Sequence, residues 1–273
     1  MPMSGLDSIL IVGCGNMGGA MLRGWLAAGA DPARFTVVDP FLAAVPDGVA
    51  LLRNLPEAVT QDAVLLGVKP QGFADLATNL APRLSRPPLV LSILAGIGLE
   101  SLAQALPGGR GWVRIMPNLA AALGKSPLAL VARGGSAGDR AALAELLAPL
   151  GTPEWLAGEE LFDLATALVG SGPAFVYRFI DALAAGGAAL GFAPDQAERL
   201  ALAMAEGAAE LARHSPHSPG ELARMVASPG GTTEAGLRVL DEGQALAVLV
   251  EATLRAARDR GSELGGLAGA NRG

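Results

Sequence analysis

Gly13-Cys14-Gly15-Asn16-Met17-Gly18 is the first stretch of this sequence whose residue types and spacing can do chemistry. Gly13 permits a tight turn, Gly15 lets the backbone approach a pyrophosphate, and Gly18 lets a following helix pack closely on the preceding strand. A helix opening here offers unpaired N–H groups and the positive end of its dipole to an anion. The spacing alone is weak evidence in a chain with 37 glycines. Its placement strengthens it, because a strand-like apolar run precedes it and a helical pattern follows. Cys14 sits inside the turn, where a small side chain suffices, and a redox role is the less favoured reading.

Asp39 ends the next strand-like run. A carboxylate there can accept both ribose hydroxyls of an adenosine and repels a 2′-phosphate, and Pro40-Phe41 brings no cation to reverse that. Physical reasoning therefore favours NADH over NADPH, against the competing reading of a turn aspartate before proline. Gly67-Val68-Lys69-Pro70-Gln71 follows another strand candidate, at the carboxyl edge where such sheets bind ligands. Lys69 and Lys125 are the only lysines among 20 basic residues. Lys69 faces a phosphate or ribose on one reading and solvent on the other. The scarcity of lysine fits genome base composition, and it removes most candidates for a catalytic lysine.

Two further segments look unlike ordinary helix sequence. Gly170-Ser171-Gly172-Pro173 leads into a long helical pattern, with Pro173 suited to the first turn. Ser228-Pro229-Gly230-Gly231-Thr232-Thr233 lies between two helices, where its backbone N–H groups and the next helix's positive end can cradle a small carboxylate. A plain helix–helix connection is the alternative for each. His214 and His217 fall in a proline-punctuated loop and read as a solvated linker, and no Cys/His cluster has zinc spacing. Tyr177, in an apolar helix, reads as packing before it reads as a proton donor.

The elements that position these residues come in two kinds. Strand candidates are Ser8 to Val12, Phe35 to Val38, Ala63 to Val68, Leu89 to Ile93, Val113 to Ile115 and Leu128 to Ala132. Helices at Met17 to Ala28, Leu99 to Leu106 and Asp139 to Leu150 fit between them, as βαβ units on a largely parallel sheet require. From about Phe162 the chain is nearly all helix former, with helices at Pro173 to Leu190, Pro194 to Arg213, Pro219 to Ala227, Thr233 to Glu242 and Gln244 to Glu263. The expected division is a dinucleotide-binding domain over 1–158 and a helical domain over 159–273. Several of the later helices are apolar on more than one face, which points to burial against another subunit, the competing reading being that alanine-rich composition merely inflates the apolar count. The glycine-rich tail after Gly261 is expected to be mobile.

Bulk properties exclude several classes. A net charge of −6 argues against a nucleic-acid partner, which needs a concentrated basic surface. Hydrophobic residues make up 51% of the chain, yet no uncharged apolar run approaches the roughly 18 residues of a membrane span. Met1 to Ser8 carries no basic cluster, and a single cysteine cannot form an internal disulfide, so a reducing cytoplasm is expected.

Taken together, the glycine fingerprint with Asn16-Met17, Val68-Lys69-Pro70-Gln71, Ser92-Ile93-Leu94-Ala95-Gly96-Ile97, Arg114-Ile115-Met116-Pro117-Asn118, Gly170-Ser171-Gly172-Pro173-Ala174 and the Ser228-to-Thr233 loop resemble the pyrroline-5-carboxylate reductase family. They occur in that family's order across nearly the whole chain, and the Ser-Pro-Gly-Gly-x-Thr loop is the most distinctive. The resemblance implies an α/β Rossmann-like N-terminal domain and an all-α C-terminal dimerisation domain interlocked with its twin. It implies a homodimer or larger homo-oligomer, with the active site between a cofactor domain and helices of the dimer.

The same resemblance implies NAD(P)H as cofactor and 1-pyrroline-5-carboxylate as substrate. Gly13 through Gly18 would hold the pyrophosphate, with Asn54, Val68, Lys69 and Pro70 lining the cofactor. Ala95 and Gly96 would lie near it, with Met116 and Asn118 toward the nicotinamide. Gly230, Gly231 and Thr232 would offer N–H groups to the substrate carboxylate, and the Thr233 hydroxyl would face the ring nitrogen. Asp39-Pro40-Phe41 departs from the asparagine, serine, threonine or arginine that many members carry there, which puts the usual NADPH preference in question. Another small cyclic imine carboxylate as substrate, or a non-catalytic dinucleotide sensor, are the alternatives. A β-hydroxyacid dehydrogenase is disfavoured because no lysine follows Lys125.

Overall fold

β1 (Ile9–Val12) is buried on both faces, which is why it reads as an unbroken apolar run rather than an alternating one. Ile9 and Ile11 pack on one side of the sheet with Phe35 and Val37, while Leu10 and Val12 pack on the other with Val38 and Val64. A computed structural model of the chain, in which residues 5–270 are described, arranges eight strands in the order β3-β2-β1-β4-β5-β6-β7-β8. The strands are β1, β2 (Phe35–Val38), β3 (Ala50–Leu52), β4 (Ala63–Leu66), β5 (Leu89–Ser92), β6 (Gly111–Met116), β7 (Ser126–Gly134) and β8 (Gly151–Trp155). All neighbours are parallel except β6 and β7, which run antiparallel.

Helices cover the sheet: α1 (Asn16–Ala27), α2 (Phe73–Leu80), α3 (Leu99–Ala105) and α4 (Ala137–Leu147). Trp25 of α1 stacks on Phe35 with ring centroids 5.2 Å apart, and its Nε1 donates to the Leu146 carbonyl at 2.7 Å, so the indole is buried without an orphaned donor. Ser136 and Asp139 form a capping box that starts α4.

β3 and β8 were absent from the sequence-based expectation, and both are edge strands. β3 has three residues, none fully buried. β8 contains Pro153, whose missing N–H is tolerated at an edge. The β6–β7 reversal has a local cause. Asn118 Oδ1 accepts the Ala120 N–H at 3.0 Å, capping a short 3-10 turn over Leu119–Leu123, and Gly124 closes it at φ 67°. That connection is too short for the crossover a parallel pair requires.

Contacts divide the chain into a unit that runs through Gly170 and resumes at Ala257, and a second unit spanning Ser171–Ala256. In the first, α5 (Phe162–Ala165) and a π turn over Thr166–Gly170 pack against the sheet, with Phe162 and Ala165 buried beside Met116 and Val131. The second consists of α6 (Gly172–Ala189), α7 (Pro194–His214), α8 (Pro219–Met225), α9 (Thr232–Asp241) and the start of α10 (Ala245–Ala270). Within the glycine-rich tail after Gly261, α10 runs on to Ala270. Ser262 Oγ donates to Asp163 Oδ2 at 2.7 Å, which ties the helix there. Residues 271–273 lie outside the described residues.

α6 has no buried residue, and Val176, Tyr177, Phe179 and Leu183 along it are 55%, 67%, 45% and 39% exposed. No helix among the described residues is long and apolar enough to cross a membrane.

Candidate active site

The sheet order turns back on itself at β1, whose neighbours β2 and β4 lead to opposite halves, and open α/β sheets bind ligands at such a point. Gly13 emerges from β1 with φ +85°, and its N–H donates to the Val38 carbonyl at 2.9 Å. A Cβ on Gly13 would stand 2.8 Å from the Gly67 carbonyl carbon and the Val68 nitrogen, so the turns leaving β1 and β4 touch backbone to backbone. A Cβ on Gly18 would approach the Gly13 oxygen to 2.9 Å, so that glycine serves helix–strand packing. A Cβ on Gly15 would meet nothing within 4 Å. The open space is a cradle at the mouth of α1, where no side chain caps the helix and its N–H groups face outward. These residues therefore fit a dinucleotide pyrophosphate.

A cavity of about 720 Å³ opens from this turn, lined among others by Gly13, Gly15, Asp39, Asn54, Val68 and Lys69. Six of the expected cofactor residues thus share one cavity. Asn16, Met17, Gly18, Pro70, Ala95, Gly96, Met116 and Asn118 are not part of its lining. Asn16 and Met17 sit in the first turn of α1, Pro70 starts the 3-10 turn after Lys69, and Ala95 and Gly96 lie in the loop after β5.

Met116 and Asn118 are buried at the end of β6, 8% and 7% exposed. Asn118 is tied at three atoms: its N–H donates to Ser126 Oγ at 2.9 Å, its Nδ2 donates to the Val169 carbonyl at 3.2 Å, and its Oδ1 caps the following turn. It holds the end of β6 to the π turn that precedes the Gly170-Ser171-Gly172 segment.

Asp39 is more occupied than its sequence suggests. Oδ2 accepts the Cys14 N–H at 3.0 Å, and Oδ1 accepts those of Phe41 and Leu42 at 2.9 and 3.1 Å. Burial alone would raise its pKa, but these three donors and the nearby Arg53 charge hold the carboxyl below its usual value. Of roughly four lone-pair positions on a carboxylate, one on Oδ2 remains for a ribose hydroxyl. The Cys14 thiol is pushed up by burial and then by Asp39, so it is a poor thiolate.

Arg114, at 6% exposure, entered the sequence reading only as the first residue of the Arg114-to-Asn118 run. Its Nη1 donates to Glu159 Oε1 at 2.8 Å, its guanidinium stacks 3.8 Å above the Phe162 ring, and its Nε is buried with no partner. The same Glu159 oxygen accepts the Leu99 N–H at 2.8 Å. One carboxylate therefore joins the start of α3, the β6 strand and the segment after Gly158.

In the helical unit, Gly231 is the N-cap of α9 and offers no side chain, so the first N–H groups of that helix lack an intrahelical partner. Thr232 and Thr233 are exposed there. Two of the expected donors are already engaged: the Gly230 N–H donates to Glu234 Oε2 at 2.7 Å and the Gly231 N–H to the Ser228 carbonyl at 2.9 Å. His214 and His217 are exposed, with His214 Nε2 3.0 Å from Glu210. No group of three or more His, Cys, Asp or Glu side chains among the described residues is placed to hold a metal.

Two family models match separate parts of the chain. A family model described as pyrroline-5-carboxylate reductase dimerisation matches residues 159–264, and one described as NADP oxidoreductase coenzyme F420-dependent matches residues 8–96. The pyrroline-5-carboxylate reductase of Pseudomonas aeruginosa is 36% identical over 94% of this chain and 96% of its own. That of Methanosarcina acetivorans is 34% identical over 95% and 98%. The structure of a pyrroline-5-carboxylate reductase from Coxiella burnetii superposes with a TM-score of 0.88 at 31% identity, covering 95% of this chain and 98% of that one.

Proposed function

The chain belongs to the pyrroline-5-carboxylate reductase family, and from that premise we propose how its residues carry the reaction. It is an NAD(P)H-dependent oxidoreductase that transfers hydride to the C=N bond of 1-pyrroline-5-carboxylate, giving L-proline. Its fold joins a Rossmann-like sheet domain to a helical dimerisation domain. We assign dinucleotide binding to residues 1–158 and dimerisation with substrate binding to 159–273. The partner is a second copy of this chain, covering apolar faces such as that of α6, and the setting is a reducing cytoplasm.

When bound, the reduced nicotinamide supplies the hydride. The chain's own task is to hold and orient, because a cyclic imine that enters protonated is already electrophilic. In this reading Gly13, Gly15, Asn16, Met17 and Gly18 receive the pyrophosphate, and Asn54, Val68, Lys69 and Pro70 line the dinucleotide. Asp39 takes a ribose hydroxyl through the free position on Oδ2 and favours NADH over NADPH. Ala95 and Gly96 flank the cofactor. Met116 and Asn118 frame the nicotinamide end by fixing the end of β6.

The substrate carboxylate is held by backbone N–H groups of Gly230, Gly231 and Thr232 at the mouth of α9, where the helix dipole favours an anion. The Thr233 hydroxyl faces the ring nitrogen and orients the imine. The observation that most supports the cofactor half is the open space at Gly15 beside the crossed Gly13 and Gly67 turns. The test is loss of reduced-nicotinamide absorbance on adding 1-pyrroline-5-carboxylate, run with NADH and with NADPH. No oxidation with either cofactor would refute the reading.

A further inference from the structure

Asp39 has a cationic neighbour that only the strand register reveals. β2 and β3 pair so that Val38 lies opposite Leu52, and the Asp39 N–H donates to the Leu52 carbonyl at 3.0 Å. The residues that follow these two strands, Asp39 and Arg53, therefore leave the sheet side by side at its carboxyl edge. Both line the cavity that contains Gly13 and Gly15.

The Arg53 guanidinium is exposed, and its partners are backbone carbonyls rather than a carboxylate. Nη1 donates to the Asp39 oxygen at 3.2 Å and also to that of Leu42, while Nη2 reaches the Ala43 oxygen at 3.5 Å. A phosphate offers a planar fork more charge than three peptide carbonyls do, and the exchange leaves only solvent-accessible carbonyls to be rehydrated. Asp39 has three of its lone-pair positions filled by N–H donors, so it opposes a nearby anion less than an unengaged carboxylate would.

From this placement we infer that Arg53 is a cofactor-specificity residue, whose guanidinium binds the 2′-phosphate of NADPH. The site then admits both cofactors: Asp39 favours the ribose diol of NADH, and Arg53 keeps NADPH usable. The inference rests on the reading of this cavity as the adenosine site.

The direct test is calorimetric binding of 2′,5′-ADP and of ADP to the full chain and to Arg53→Gln. The variant is expected to lose about 10-fold or more in affinity for 2′,5′-ADP, with ADP affinity changed less than about twofold, since one charge-assisted contact is removed. Arg53→Lys, which keeps the charge but not the fork, should recover part of the loss. Equal losses for both ligands would reduce Arg53 to a support of the 39–43 loop, and no loss for either would remove it from the site; each result overturns the inference. Steady-state constants with NADH and NADPH separate this from the Asp39 reading. Preference for NADPH in the unaltered enzyme would defeat the proposed role of Asp39, while leaving the Arg53 prediction to stand or fall on calorimetry.

Discussion

Asp39 Oδ2 accepts the Cys14 N–H at 3.0 Å, so the carboxylate ending β2 holds the glycine turn that ends β1. Ligand recognition and support of the loop therefore compete for the same two oxygens. Replacing Asp39 by Asn keeps an acceptor but sets an amide donor against one of three backbone donors. The expected cost is about 1–3 kcal/mol at neutral pH, with a rise in NADPH efficiency relative to NADH. The acid dependence has a definite sign. Because the folded carboxyl is held below its usual value, its contribution is complete above the ordinary carboxylate range and is lost as pH falls through the lowered value. Thermal unfolding followed from neutral to acid pH should show a smaller loss for Asp39→Asn than for the unaltered chain. A steeper loss would contradict this.

Gly13 and Gly15 belong to one motif but do different jobs. Gly13→Ala combines φ +85° with a Cβ only 2.8 Å from backbone atoms of Gly67 and Val68, which the neighbouring strand cannot yield cheaply. We expect at least about 1–3 kcal/mol of destabilisation, seen as a lowered Tm. Gly15→Ala meets no atom within 4 Å, so its Tm should hold while dinucleotide affinity falls. Unfolding and calorimetry on the two variants would expose an exchange of these behaviours, which the account forbids.

The Gly230 N–H is engaged by Glu234, which places a protein carboxylate on a donor assigned to the substrate carboxylate. Glu234→Ala should lower KM for 1-pyrroline-5-carboxylate severalfold with kcat little changed, as expected when a competing internal anion is removed. Thr233→Ala should instead lower kcat/KM by about 10-fold or more, corresponding to about 1.4 kcal/mol of transition-state stabilisation. Unchanged constants in a folded Thr233→Ala variant would remove the threonine from the reaction.

Arg114 is the buried partner of an ion pair with Glu159, with side-chain exposures of 7% and 35%. Burial lowers the pKa of the Arg114 guanidinium, and Glu159 works against that fall. Glu159→Ala strands the guanidinium and frees the Leu99 N–H, so a loss of roughly 3 kcal/mol is expected from denaturant unfolding. A loss below 1 kcal/mol would mean that water reaches Arg114 readily, against its burial.

Much of this architecture was legible in the sequence because the central strands are buried on both faces, and such runs announce themselves. Phe35–Val38 is found where it was expected, and Leu89–Ser92 differs by a single terminal residue. The glycine turn was legible for a similar reason, since its spacing reflects close backbone approach. What stayed hidden depends on partners distant in the chain. β3 is too short and too exposed to leave a pattern, and without its register nothing places Arg53 beside Asp39. The occupation of Asp39 by three N–H groups, and of Gly230 by Glu234, likewise follows from turn geometry that composition does not encode. Arg114 gave a signal only as a charge inside an apolar strand, and its partner Glu159 is far along the chain.

The central claim is that this chain moves hydride from a reduced nicotinamide to a small cyclic imine acid. It is tested most directly by following reduced-nicotinamide absorbance in the presence of 1-pyrroline-5-carboxylate while quantifying L-proline. The account predicts that cofactor is consumed and proline formed in equal amounts, more efficiently with NADH than with NADPH. Cofactor binding without any substrate-dependent oxidation would contradict it.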